Sequence, residues 1–167
     1  MSRASRDPIL HDWVSLRSSV TAALCHTFGA SPQVTVLHEG GCALADWEAA
    51  MLQLPANASG FGRHVALRAA ARTCVLARTA VAHDGPLRRI LAALGSRPLG
   101  QRLFEDGDWQ VIGLPVYLDD GLGNAGRAVC WQHVPTGAFL VVQELFLREA
   151  FAGRVLREIP GKRIFSP

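Results

Sequence analysis

The sequence lacks any uninterrupted apolar stretch of ~18 residues or more, so no segment reads as a membrane-spanning helix. Charge is also scarce. Only 19% of the 167 residues are Asp, Glu, Lys or Arg, whereas 49% are hydrophobic, and that apolar content excludes a disordered chain. Lysine is nearly missing: Lys162 is the single lysine among 17 basic residues, and the formal net charge is a mild +3. No dense basic stripe suited to a nucleic-acid backbone is present. The nearest cluster, Arg154, Arg157, Lys162 and Arg163, reads as a solvated C-terminal face. The 16 glycines and 9 prolines follow no period, which excludes a collagen-like chain. Cys25, Cys42, Cys74 and Cys130 show no C-x-x-C pairing, and no histidines pair with metal-ligand spacing on a clear helix. Met1 to Asp7 is not followed by the apolar core of a signal peptide. The expectation is a reduced, cytoplasmic protein with inert thiols and no metal, acting without nucleic acid or membrane.

What is present suits one domain spanning residues 1–167, long enough to bury a sizeable core without disulfides. Ile9 to Leu16 and Val20 to Phe28 read as helices, the second with Ser18 and Ser19 where its cap belongs and Gly29 as its stop. Gln33 to His38 reads as a strand broken by Gly40-Gly41, and Ala43 to Leu54 as a helix ended by Pro55. Arg63 to Val81 reads as two strands with a turn near Ala69 to Arg72, although its alanines would also permit a helix. Asp84-Gly85-Pro86 opens a helix that Gly95 stops, with Asp84 as candidate cap, and Pro98-Leu99-Gly100 starts another short segment through Phe104. Trp109 to Leu118, Ala128 to Val134 and Phe139 to Phe146 read as an antiparallel meander. The pattern predicts an α+β fold: a single antiparallel sheet of about six strands with helices packed on one side.

The familiar catalytic signatures, G-x-S-x-G, H-E-x-x-H, the P-loop and G-x-G-x-x-G, are all missing. A site would have to be made from Arg, carboxylate and backbone amides, and three places offer them. Arg63 and Arg78 lie in otherwise apolar strands, where an arginine either faces solvent or points inward and needs an anion. Leu94-Gly95-Ser96-Arg97-Pro98-Leu99-Gly100 is either an ordinary helix stop or a set of backbone N–H groups open to an anion. Glu144, in the strand Leu140-Val141-Val142-Gln143-Glu144-Leu145-Phe146, either sits at an exposed edge or is a paired, neutral or site-lining carboxylate.

Four motifs come in order. Arg63-His64-Val65 precedes Ala77-Arg78-Thr79-Ala80-Val81, with Arg78 fifteen residues after Arg63. Leu94 to Phe104 follows the pattern L-G-x-x-P-L-G-x-x-L-F, and Glu144-Leu145-Phe146-Leu147 ends the last strand. Ser19-Val20-Thr21 gives a weaker match at a helix start. Over about residues 9 to 150 this series resembles the chorismate pyruvate-lyase family, which makes 4-hydroxybenzoate for ubiquinone. The resemblance implies elimination of pyruvate from chorismate with neither metal nor redox cofactor, by a protein expected to be a monomer. It implies that Arg63 clamps the ring carboxylate, helped by the amides of Val20 and Leu99. It places Glu144 against the ring 4-hydroxyl and the C4 hydrogen, and Arg78 on the enolpyruvyl carboxylate.

The sequence departs from the family pattern at His64, where the family has Glu, at Ala82, where it has Pro, and at the turn Ala69-Ala70-Ala71, which lacks Asp-Gly. The family's Arg-Arg-Ser-like stretch survives only as Gly126-Arg127-Ala128, and Gln110 stands where Arg is common. The rival expectation is a non-catalytic binder of 4-hydroxybenzoate-like aromatic acids, because effector domains of helix-turn-helix regulators share the fold. A DNA-binding segment is not expected in this chain.

Overall fold

The computed structural model describes residues 8–154 and residue 156. Arg157, Lys162 and Arg163 of the basic tail lie outside the described residues; Arg154 stacks its guanidinium over the Phe28 ring at 4.4 Å.

Two short helices begin the fold, α1 (Pro8–Val14) and α2 (Val20–Phe28). The Ser19 hydroxyl accepts the Ala22 amide at 3.2 Å, and Gly29, at φ 76°, closes α2 in the left-handed conformation. β1 (Gln33–Ala43) runs straight through Gly40-Gly41, because Gly40 pairs with Gly62 and Gly41 with Phe61 in the ladder. The expected break is absent, and Ala43 is thereby taken from the expected helix. What remains of it is α3 (Asp46–Met51), whose entry is fixed by Glu48 Oε2 accepting the Ala45 amide at 2.8 Å.

β2 (Ser59–Ala69) and β3 (Arg72–Ala82) form a hairpin, so the helical alternative for this alanine-rich stretch is not adopted. Its two-residue turn is built from Ala70 and Ala71 at φ 49° and 62°, where Asn-Gly would be favoured. Then come α4 (Leu87–Ala92), capped by Pro86 rather than Asp84, and α5 (Leu99–Glu105). β4 (Trp109–Asp119), β5 (Ala125–His133) and β6 (Phe139–Phe146) follow, and α6 (Arg148–Phe151) ends the described chain. β5 starts three residues before the expected Ala128, because the Asp120 carboxylate gathers the amides of Leu122 and Asn124 into a tight loop.

The six strands make one antiparallel sheet in the order β1-β2-β3-β6-β5-β4, the α+β architecture expected. Its front face carries two separate cores. One joins Trp13, Leu24 and Phe151 to Leu67, Val75 and Phe146; the other joins Leu91, Leu94 and Leu103 to Val81, Val129 and Trp131. A third cluster, with Leu52 against Ala80, Cys130 and Val141, packs the α3 segment on the back face, so the helices are not all on one side. All four cysteines are free, and burial pushes the Cys130 thiol up to about 11. No helix among the described residues is long and apolar enough to cross a membrane.

Candidate active site

Between the two front cores the sheet leaves a cavity of about 60 Å3. Its floor comes from alternate residues of four adjacent strands: Arg63 and Val65 of β2, Ala77 and Thr79 of β3, Val142 and Glu144 of β6, and Arg127, Val129 and Trp131 of β5. Its roof comes from the first turns of α2 and α5. Those turns lie close because residue 100 is glycine; a Cβ there would stand 3.3 Å from the Thr21 hydroxyl. Val20 and Leu99 are the first residues of these helices, so their amides have no intrahelical acceptor, and both line the cavity.

Arg63 is 3% exposed and is held on three sides. Nη1 donates to Glu39 Oε2 at 2.9 Å, and Nη2 donates to the carbonyls of Gly95 at 2.7 Å and Arg97 at 3.2 Å. The glycine segment between α4 and α5 therefore serves the arginine through its carbonyls. A guanidinium has five donors, and these bonds leave some for a ligand. Glu39 is the residue directly across from Arg63 in the β1–β2 ladder. It was not among the expected site residues, although an acidic residue in the strand pairing with β2 was a signal for it.

Glu144 has a corresponding partner. Arg127, 2% exposed, is directly across from it in the β5–β6 ladder and donates Nε to Glu144 Oε2 at 2.9 Å. Arg127 Nη1 donates to the Leu16 carbonyl, tying the sheet to the end of the α1 segment. Among the described residues, Glu144 Oε1 and Arg127 Nη2 have no protein partner. Gly126 permits this pairing: a Cβ on it would stand 2.2 Å from the Glu144 carbonyl oxygen.

The structure does not bring Arg78 to the cavity. A hairpin with a two-residue turn at Ala70-Ala71 would pair Arg63 with Arg78 and turn both the same way. A bulge intervenes: Arg68 pairs with Thr73 but Leu67 pairs with Val75, leaving Cys74 as the extra residue. From there on Arg63 faces Thr79, and Arg78 pairs with His64 on the back of the sheet. There Arg78 Nε and Nη2 donate to the two carboxylate oxygens of Glu48 at 2.8 and 3.1 Å, Nη2 also to the Ala43 carbonyl at 3.0 Å, and Nη1 bonds His64 Nε2 at 2.9 Å. Gln143 also donates to Glu48, which is 3% exposed. The group clamps α3 to the back face. His64 belongs to it, so the His64 departure does not touch the cavity. Burial, and the nearby charges of Arg78 and His38, lower the His64 pKa from its ordinary value.

Among the described residues no group of three or more His, Cys, Asp or Glu side chains is placed to hold a metal ion. The site is a mostly apolar slot with a guanidinium at one end and a carboxylate–guanidinium pair at the other.

Comparison with known proteins identifies the fold and the family. The ligand-binding domain of a regulator assigned to the GntR family, from Bordetella bronchiseptica, superposes with a TM-score of 0.50 at 14% identity, over 78% of this chain and 89% of that one, which is a likeness of fold. A Pseudomonas syringae pv. tomato protein named "Probable chorismate pyruvate-lyase" is 34% identical over 151 residues, 84% of this chain and 80% of its own. A protein of the same name from Dechloromonas aromatica is 31% identical over 157 residues, 84% of this chain and 88% of its own. The chorismate lyase family model matches residues 3–154, which takes in every strand of the sheet and both helices over the cavity, and the chain therefore belongs to the chorismate lyase family.

Proposed function

We propose that this protein is a chorismate pyruvate-lyase that releases pyruvate from chorismate and leaves 4-hydroxybenzoate, the first committed step toward ubiquinone. The observation that carries the reading is that Arg63 and Glu144, from β2 and β6, line one cavity on one face of the sheet. Two strand spacings across and two residues along separate them, ~12 Å between Cα atoms. A benzene ring with para substituents can bridge the side chains reaching in from that interval.

In this reading Arg63 and the amides of Val20 and Leu99 hold the ring carboxylate, each charge-assisted bond contributing ~1.5–3 kcal/mol. The free Oε1 of Glu144 takes the hydrogen bond of the 4-hydroxyl and stands beside the C4 hydrogen. As the C4 proton leaves, its electron pair enters the ring, and the C3–O bond breaks. The ring becomes aromatic, and the departing enolpyruvate gains a proton to become pyruvate. The apolar walls, Val65, Val129, Trp131 and Val142, keep water from the reacting ring. The ring enters from the groove between α2 and α5, lined by Thr21, Cys25, Gln101 and Phe104, as the first turns of the two helices part. The protein works as a monomer in the cytoplasm.

The test is pyruvate release from chorismate by the purified protein, with 4-hydroxybenzoate followed by its ultraviolet absorbance. Stoichiometric appearance of both is expected. Tight binding of 4-hydroxybenzoate without turnover would replace the lyase with the alternative reading, a non-catalytic binder of aromatic acids.

A further inference from the structure

Chorismate carries a second carboxylate, on the enolpyruvyl group, and Arg78 is turned away from it. We infer that Arg127 is the receptor for this second carboxylate and steadies the negative charge of the leaving group. The inference rests on the lyase reading for its substrate but on separate observations for its residue.

The cations lining the cavity are Arg63 and Arg127. Arg63 is taken by the ring carboxylate. Arg127 lies one strand beyond Glu144 on the side away from Arg63, because β5 follows β6 in the sheet. The chemistry of the substrate matches that order. The ring carboxylate is on C1, the hydroxyl on C4 and the ether oxygen on C3, next to the hydroxyl. A ring whose carboxylate rests on Arg63 and whose hydroxyl rests on Glu144 therefore carries its enolpyruvyl arm beside Glu144.

Arg127 is also built to receive an anion. Glu144 and the Leu16 carbonyl fix its Nε and Nη1, so the plane of the guanidinium is set before any ligand arrives. Nη2 keeps donors without a protein partner among the described residues, on a side chain 3% exposed. In such a place an anion is a far better partner than none. When the C3–O bond breaks, its electron pair moves onto the ether oxygen. A fixed cation next to it is then worth more in the transition state than in the bound substrate.

The test compares 4-hydroxybenzoate with 3-(carboxymethoxy)-4-hydroxybenzoate, an unreactive ring that adds a second carboxylate at the ether position. Titration calorimetry gives the ratio of their affinities for the unaltered protein, Arg127→Gln and Arg127→Lys. The unaltered protein should prefer the dicarboxylate. Arg127→Gln should lose ~30-fold of that preference, about one charge-assisted bond, and Arg127→Lys should keep part of it. An unchanged ratio in Arg127→Gln, or no preference in the unaltered protein, overturns the inference. Should Arg127→Gln fail to fold, the unaltered protein and Arg127→Lys still decide. Because the ratio needs no turnover, loss of pyruvate release alone would sink the lyase reading and leave the Arg127 result standing.

Discussion

Replacing Arg78 with Met separates a clamp on the back of the sheet from a ligand for the substrate. The change keeps a long flexible side chain and removes the charge. In the folded protein Glu48 is 3% exposed and receives Arg78 at 2.8 and 3.1 Å, with the Ala45 amide and Gln143 as its further partners. Removing one member of a buried pair costs ~3–5 kcal/mol. Arg78 is partly exposed, so the lower end applies, about 3 kcal/mol. For a chain of this size each kcal/mol moves the Tm by ~2–4 °C, which predicts a fall of roughly 6–12 °C. Thermal and urea unfolding measure the loss, and titration with 4-hydroxybenzoate in the folded range measures the site. Affinity should stay within ~3-fold, under 1 kcal/mol. The double change Arg78→Met with Glu48→Gln should recover part of the stability, since no buried charge is then left alone and the amide oxygen can still accept from Ala45. A Tm that hardly moves together with a tenfold or greater loss of affinity would refute the reasoning.

Three further outcomes are expected. Arg63→Gln keeps donors but loses the charge, so 4-hydroxybenzoate should bind ~30-fold more weakly or worse; calorimetry showing unchanged affinity would remove Arg63 from the site. His64 must be unprotonated at Nε2 to accept from Arg78, and its folded pKa lies below the ordinary 6.5. Its contribution is therefore complete above the unfolded value and is lost as pH falls through 6.5 toward the folded pKa. Urea midpoints at stepped pH should decline in that window and decline less in His64→Gln, whereas parallel profiles would contradict the assignment. Ala71→Gly, at φ 62°, should raise stability by ~1 kcal/mol by relieving a left-handed alanine, as read from the urea midpoint; a lower midpoint would show that the turn carries no strain.

Much of the sheet was legible because its strands are bounded by clear turn formers and patterned for two faces. Arg63 and Glu144 stood out as charges in apolar strands, and the family resemblance is what brought them to one site. The face of Arg78 was not legible. It depends on Cys74, a small apolar residue that gives no local sign of being unpaired, and one extra residue reverses every side chain beyond it. Glu39 and Arg127 were missed as site residues for a related reason. Each is defined by the residue across the ladder from it, and cross-strand register is a tertiary fact. Gly40-Gly41 misled because glycine usually ends a strand, whereas here a facing glycine, Gly62, accompanies it within the ladder.

The cavity is also a seam. One core, with α1, α2 and α6, lies on one side of it and the other, with α4 and α5, on the opposite side. A bound aromatic acid would weld two halves that otherwise meet through the sheet and where the first turns of α2 and α5 touch. Occupancy should then make their slowest amide protons exchange together, turning a substrate slot into the keystone of the fold's cooperativity.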